Sequence, residues 1–198
     1  MDGITFTGSY DVGMRILRTF AQGRYPAQLS RRNGRQKPDH HHQQGRFGQS
    51  GHGRHALGLW PARSKCSACS RVYVHADVKD AFMEKLLALT KEIHVGDPTQ
   101  KENWMGPVAN KGAFEDYKKF VADLRQDGEI VFGGEVLAGN GYFAAPTIVD
   151  NLPHGHYLWK QEMFLPIVTV HAFTDLDDAM AKANDVEIWP DGRFLQRR

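Results

Sequence analysis

Apolar residues recur at helical spacing in four parts of the chain, and short β-prone runs lie between them. The β-prone runs are 4–7, 71–75, 129–132 and 167–171. The helical patterns are Val12, Ile16, Leu17 and Phe20; Val78, Ala81, Phe82, Leu86, Leu89 and Ile93; Phe114, Tyr117, Phe120, Val121 and Leu124; and a segment that starts at a capping box in 174–177 and runs through Asn184. Because strands alternate with helices, the pattern predicts an α/β fold.

Two stretches break this pattern. Residues 27–64 are rich in Gly, Arg, Gln and His and contain no Val, Ile, Met, Thr or Tyr, and the periodicity fails again from Ile188. Such a composition cannot bury a core, so we expect 27–64 to be poorly ordered. The sequence therefore divides into 1–26, 27–64, 65–187 and 188–198, and we expect 66–185 to be the most compact part.

The charge is unevenly distributed. The net charge is +2, but residues 27–64 carry six Arg and one Lys against a single acid, Asp39. A basic nucleic-acid-binding segment is one interpretation, and a salt-dependent shift of labelled RNA would favour it. Phe47 and Trp60 are the only interleaved aromatic residues available for base stacking, which weakens this interpretation. The run His40–His42 similarly suggests a metal site or a tag.

Three short segments carry candidate chemistry. Cys66 and Cys69 have the spacing of a redox pair or half a zinc site, but the chain has no second C-x-x-C. Two cysteines and the lack of a secretory leader favour a cytoplasmic location, or the mitochondrial matrix in a eukaryote. Gly8 and Ser9 connect a predicted strand to a helix, where backbone N–H groups favour a pyrophosphate, although such a turn is often only a turn.

These segments together resemble a known family. They are Phe6-Thr7-Gly8-Ser9 with Val12-Gly13, the segment Lys65–Arg71, and Glu162–Pro166, in which Leu165 stands where the E-x-F-G-P pattern has Gly. In order and spacing they resemble the aldehyde dehydrogenase superfamily, most closely its glutamate-semialdehyde (1-pyrroline-5-carboxylate) dehydrogenase branch. The resemblance covers residues 1–26 and 65–187.

The resemblance implies a partial catalytic domain with a remnant of the Rossmann-like cofactor domain. It implies that Cys66 is the nucleophile and Cys69 the family's second, non-catalytic cysteine. Gly8 and Ser9 would bind the cofactor NAD, Glu162 would accept hydrogen bonds from the nicotinamide ribose, and Phe164 would pack near the nicotinamide. The implied partners are a small-molecule aldehyde and, in intact relatives, further copies of the subunit, with no metal, nucleic acid or membrane.

The two patternless stretches match family segments read in a shifted frame. Codons for Met-Gly-Gly-Lys-Asn-Pro-Thr-Ile-Ile-Thr-Asn-Lys-Ala, read from the third base, can encode the sequence of Gly34–Gly45. The same shift converts Ala-Phe-Gly-Leu-Gln-Gly-Gln into Leu59–Ser64, and Tyr-Gly-Leu-Thr-Ala-Gly-Phe-Tyr into Trp189–Leu195. We infer that the frame is lost after the first helix, recovers at Lys65 and is lost again near the end. On this inference, the histidine run is neither a metal site nor a tag, and the basic segment does not bind nucleic acid.

The shift has a consequence for catalysis. The family's general-base Glu lies just before the Met-Gly-Gly-Lys segment, where this chain has Arg32 and Asn33. By the resemblance, the oxyanion Asn, most of the cofactor sheet and the oligomerisation strand also lie outside the sequence. We therefore expect this chain to have no dehydrogenase turnover, although Cys66 could still be alkylated. The alternative function is that of a non-catalytic product that at most binds intact subunits.

Overall fold

A computed structural model describes residues 3–22, 28–33, 37–41, 68–185 and 193–195. For 28–33, 37–41 and 193–195 only the backbone is considered. The chain divides into two compact units, Met1–Arg35 and Gln36–Arg198, and each is described by itself.

The first unit is a strand, a helix and a second strand. Strand β1 (Gly3–Gly8) leads into helix α1 (Tyr10–Ala21), and β1 pairs in parallel with strand β2 (Gln28–Asn33). Ser9 is the N-cap of α1, and its side chain accepts a hydrogen bond from the backbone N–H of Val12 at 3.4 Å. The first predicted strand and helix are confirmed.

The second unit is built on a six-stranded sheet in the order β5-β6-β7-β4-β3-β8. Strand β5 is antiparallel to β6, and the other neighbouring pairs are parallel. The predicted α/β class is therefore confirmed. The strands are β3 (Lys37–His41), β4 (Cys69–His75), β5 (Glu129–Phe132), β6 (Thr147–Asp150), β7 (Ile167–Phe173) and β8 (Arg193–Leu195), and the helices are α2 (Lys79–Lys91), α3 (Lys111–Asp127) and α4 (Leu176–Asn184).

Helices α2 and α3 bury many of the residues that the spacing placed on one face, although Ala81 is exposed and Leu89 and Phe114 are partly buried. The buried positions of α2 are Phe82, Leu86 and Thr90, and α3 buries Tyr117, Phe120, Val121 and Leu124. The side chain of Asn110 caps α3 by accepting from the Ala113 N–H at 2.9 Å. The first predicted helical turn of α2 is instead a 3-10 helix, Ala76–Val78, so α2 begins at Lys79.

The structure corrects the sequence interpretation in three places. Strands β2 and β3 lie inside 27–64, and β8 lies inside 188–198, where no regular element was predicted. Backbone ladder hydrogen bonds do not depend on side-chain periodicity, so a strand can form without the pattern that would reveal it. The rest of 27–64 lies outside the described residues, and its expected disorder stays a prediction. Strand β6 was also missed, because four residues buried in succession show no alternation.

A buried tyrosine joins α3 to the sheet. The phenol oxygen of Tyr117 lies 2.9 Å from the carbonyl oxygen of Ala145, 3.2 Å from that of Glu135 and 2.8 Å from Thr147 Oγ1. Thr147 Oγ1 in turn accepts from the Gly134 N–H at 3.1 Å. Burial raises the pKa of Tyr117 to about 12, and the hydrogen bond with Thr147 opposes part of this rise. The hydroxyl therefore joins a buried network in which the Ala145 carbonyl also accepts from Thr147 Oγ1 and the Glu135 carbonyl also accepts from the Ala145 N–H.

Among the described residues, no helix has both the length and the apolar character needed to cross a lipid bilayer.

We predict that Tyr117→Phe destabilises the protein by about 1–2 kcal/mol, because it removes the buried hydrogen bonds of the hydroxyl. The folded-state pKa lies above the ordinary value of 10.0. The unfolded state therefore releases its proton first, and the stabilisation present below pH 10 is lost as the pH rises towards 12. Urea denaturation at several pH values should show the gap between the two proteins narrowing over that range.

Tyr142→Phe is the control for this prediction, because Tyr142 is 40% exposed. It should change the free energy of unfolding by less than about 0.5 kcal/mol. Equal effects of the two substitutions, or a gap that does not change with pH, would contradict the role given to the Tyr117 hydroxyl.

Candidate functional site

The five site residues predicted from the sequence fall into three groups. Gly8 and Ser9 lie in the first unit, and Glu162 and Phe164 lie in the second. Cys66 lies outside the described residues. Each group is therefore considered where it lies.

The Gly8-Ser9 turn joins the carboxyl end of β1 to the amino end of α1. A Cβ at Gly8 would stand 2.6 Å from Cζ of the Phe6 ring, so the ring position requires a residue without a side chain there. The first turn of α1 begins with the Gly13 N–H donating to the Ser9 carbonyl at 3.1 Å. A helix amino end that follows a parallel strand is the arrangement that suits a pyrophosphate, so this turn fits a dinucleotide.

The Glu162–Pro166 segment lies between a 3-10 helix (Tyr157–Trp159) and β7. Met163 and Leu165 point into the core, with exposures of 5% and 0%, whereas Phe164 is 40% exposed. The backbone of Phe164 has a φ of 54°, in the left-handed region. A bulky residue rarely adopts this conformation, which costs about 1–3 kcal/mol and is concentrated at functional sites.

Two hydrogen bonds attach this segment to the sheet. The Ile167 N–H donates to the Leu165 carbonyl at 2.7 Å, and the Thr147 N–H donates to the Pro166 carbonyl at 2.8 Å. Ile167 and Thr147 are the first residues of β7 and β6. The segment that carries Phe164 is therefore fixed at the end of the sheet where these parallel strands begin.

Strand β4 begins at the same end of the sheet. Strand β4 pairs in parallel with β7, with Arg71 opposite Thr169 and His75 opposite Phe173. Both strands therefore enter the sheet on the same side. Cys66 precedes the first residue of β4 by three positions, and Phe164 precedes the first residue of β7 by three positions.

Cys69 and Arg71 stand at the beginning of β4, and both are buried. The thiol of Cys69 donates to the Arg71 carbonyl at 3.2 Å. The Arg71 side chain is fully buried, and its Nη2 donates to the Ala183 carbonyl in the last turn of α4 at 3.4 Å. Burial lowers the pKa of the guanidinium, while the carbonyl end of a helix favours a cation. Sequence reasoning missed this contact, although a single Arg within an apolar strand was the available signal.

An aromatic cluster fills the space beside these residues. The Trp159 ring lies 5.8 Å from the Tyr73 ring and 5.7 Å from the His171 ring. Burial raises the pKa of Tyr73 to about 12 and, together with Lys182, lowers that of His171. Within the ranges that the structure describes, no group of three or more His, Cys, Asp or Glu side chains could hold a metal ion.

Comparison with known proteins adds a family and relatives. The aldehyde dehydrogenase family model matches residues 1–188. Residue identity with 1-pyrroline-5-carboxylate dehydrogenase 1 of Halalkalibacterium halodurans is 38% over 133 residues, covering 67% of this chain and 26% of that protein. Identity with the Bacillus mycoides 1-pyrroline-5-carboxylate dehydrogenase is 41% over 131 residues (66% and 25%). Identity with the D-glyceraldehyde dehydrogenase (NADP(+)) of Picrophilus torridus is 39% over 126 residues (61% and 25%).

Solved structures share the fold over the whole chain. The NAD-bound 1-pyrroline-5-carboxylate dehydrogenase from Thermus superposes with a TM-score of 0.91 at 24% identity, covering 100% of this chain and 39% of that one. An NADP dependent enzyme of E. coli gives a TM-score of 0.92 at 27% identity, covering 100% and 41%. The chain spans about a quarter of the length of the curated relatives that it matches.

We predict that iodoacetamide modifies one cysteine of the native chain, Cys66, and modifies Cys69 only after denaturation. Cys69 is 4% exposed, so its thiol reacts only through an opening of the fold. Mass spectrometry of the labelled peptides measures both sites, and Cys66→Ala should abolish native labelling. Labelling of Cys69 at the rate of an unfolded cysteine would contradict the packing at the start of β4.

Proposed function

Because the chain belongs to the aldehyde dehydrogenase family, we propose that its sequence encodes part of an NAD-dependent enzyme that oxidises an aldehyde to a carboxylic acid. The proposed aldehyde is L-glutamate γ-semialdehyde, and the proposed nucleophile is Cys66. We further propose that this chain, as it stands, has no turnover.

The observation that carries the proposal is that β4 and β7 begin at the same end of the sheet. Chain length keeps the Cα atom of Cys66 within about 11 Å of that of Cys69. The exposed, strained Phe164 is attached to the same end through the carbonyls of Leu165 and Pro166. A thiol and an outward aromatic ring at one end of the sheet suit a reaction in which a carbonyl carbon must contact both a nucleophile and a nicotinamide.

The chemistry that the chain's residues would perform is acyl transfer through sulphur. The thiolate of Cys66 adds to the aldehyde carbon, forming a C–S bond while the carbonyl oxygen becomes an oxyanion. Collapse of the oxyanion expels the former aldehyde hydrogen as hydride and leaves a thioester on Cys66. Water then attacks the thioester, which releases the acid and the thiol and requires a base to take the proton.

Four residues would hold the cofactor. NAD, when bound, accepts the hydride. Gly8 and Ser9 would meet its pyrophosphate at the amino end of α1, where backbone N–H groups are available. Glu162 would accept hydrogen bonds from the nicotinamide ribose, and Phe164 would pack against the nicotinamide ring.

The choice of substrate rests on the relatives. Two bacterial proteins at 38% and 41% identity are named for 1-pyrroline-5-carboxylate, and a third at 39% is named for D-glyceraldehyde and NADP(+). These identities are nearly equal, so they support the reaction class more strongly than one aldehyde. Glutamate γ-semialdehyde is proposed because the Lys65–Arg71 segment also resembles that branch.

The second candidate function is a non-catalytic product, and one position favours it for this chain. Arg32 and Asn33 stand where the resemblance places the general-base Glu, so a thioester on Cys66 would have no base to direct its hydrolysis.

A chimera tests the proposed activity. Residues 65–187 would replace the matching segment of the Halalkalibacterium halodurans enzyme, and NADH formation would be followed with glutamate γ-semialdehyde and with D-glyceraldehyde. We predict turnover with the first aldehyde and a loss of at least about 1000-fold in Cys66→Ala, because covalent catalysis has no substitute nucleophile. The unmodified chain should form no NADH above its own Cys66→Ala variant.

Each outcome has a defined meaning. A folded chimera without activity towards either aldehyde would contradict the proposed function, and activity that survives Cys66→Ala would contradict the nucleophile. A preference for D-glyceraldehyde would overturn the substrate but keep the reaction class. Turnover by the unmodified chain that is lost in Cys66→Ala would contradict its proposed inactivity.

A further inference from the structure

The segment before β7 alternates between the core and the surface within three residues. Met163 and Leu165 are 5% and 0% exposed and belong to the main hydrophobic cluster, whereas Phe164 between them is 40% exposed. The two inward side chains therefore fix the backbone on both sides of an outward ring.

The backbone of Phe164 needs such a constraint. A φ of 54° places Phe164 in the left-handed region, which phenylalanine rarely adopts. Strained backbone persists only where the surrounding structure over-determines it. The surroundings here are the two buried neighbours and the hydrogen bonds from Ile167 and Thr147 to the carbonyls of Leu165 and Pro166.

Leu165 contributes more to this constraint than Met163 does. A methionine side chain has three flexible torsions and fills irregular gaps, so it restrains its backbone weakly. Leucine has few rotamers, and Leu165 is completely enclosed. Its carbonyl also accepts the short 2.7 Å hydrogen bond from Ile167. A glycine, which the E-x-F-G-P pattern has at this position, would supply no buried side chain.

We propose that Leu165 is a positioning residue whose buried side chain holds Phe164 in the left-handed conformation and keeps the ring outward, where, on the proposed function, it contacts the nicotinamide. Leu165 acts through the backbone of its neighbour and does not touch the cofactor. The departure from the family pattern thus replaces a flexible position with an anchored one.

Amide hydrogen exchange of the full chain, read by mass spectrometry on peptides that contain Thr147 and Ile167, tests the proposal. Leu165→Ala should speed exchange of these two amides by about tenfold or more relative to Leu124→Ala, because both donate to carbonyls of the anchored segment. Leu124 is the matched control, since it is also a fully buried leucine but lies on α3. Leu165→Met should fall between the original chain and Leu165→Ala, because it conserves volume but restrains its backbone less.

If Leu165→Ala does not fold, Leu165→Val against Leu124→Val gives the same comparison with a smaller change. Equal local exchange in the Leu165 and Leu124 variants would overturn the proposal, as would a Leu165→Met variant as fast as Leu165→Ala. In the chimera, Leu165→Ala should raise the KM for NAD by about tenfold relative to Leu124→Ala, because the ring is no longer held in place. An inactive chimera would count against the proposed function alone, since the exchange measurement decides the role of Leu165.

Discussion

The second unit depends on the parallel pairing of β4 with β7. Residues Arg71 to His75 lie opposite Thr169 to Phe173, and the Thr169 hydroxyl adds a hydrogen bond to the Ser70 carbonyl at 3.2 Å. Both strands are buried on both faces along most of their length, as expected for the centre of a parallel sheet. A one-residue slip of β4 against β7 would therefore move each side chain to the opposite face of the sheet and misplace its packing contacts.

Polar contacts stabilise both ends of this sheet. Where the strands end, Lys79 at the start of α2 lies 2.8 Å from Asp150 at the end of β6, with both side chains largely buried. Where the strands begin, Arg71 reaches the last turn of α4 and the Glu162–Pro166 segment is attached to β6 and β7.

The sequence predicted the helices, whose burial is one-sided, and the longer apolar strands β4 and β7. Helix α3 contains the predicted residues because Tyr117, Val121 and Leu124 repeat on one face, and it ends before Gly128. Strand β6 was not predicted because it has only four residues and, being buried on both faces, shows no alternation. Arg71 was not expected inside the core, since its favourable environment is a carbonyl at the end of a helix more than a hundred residues later. An Arg within an apolar strand was a signal of an unusual environment, but its partner on α4 depends on tertiary packing.

The candidate site was predictable only in its parts. The motif at 162–166 was visible in the sequence, but the burial of Leu165 and the left-handed backbone of Phe164 could be seen only in the structure. That β4 and β7 begin at the same end of the sheet could be known only from the strand order and the parallel pairing. The resemblance also supplied the explanation for 27–64 and 188–198, whose composition alone suggested a basic arm.

We infer that one aldehyde dehydrogenase reading frame is interrupted within this chain, and sequencing the encoding DNA tests this inference. Across the codons for residues 26–65, we expect the neighbouring frame to encode Met-Gly-Gly-Lys-Asn-Pro and then Ala-Phe-Gly-Leu-Gln-Gly-Gln, with the frame restored at Lys65. A coding sequence with neither segment in any frame would contradict it.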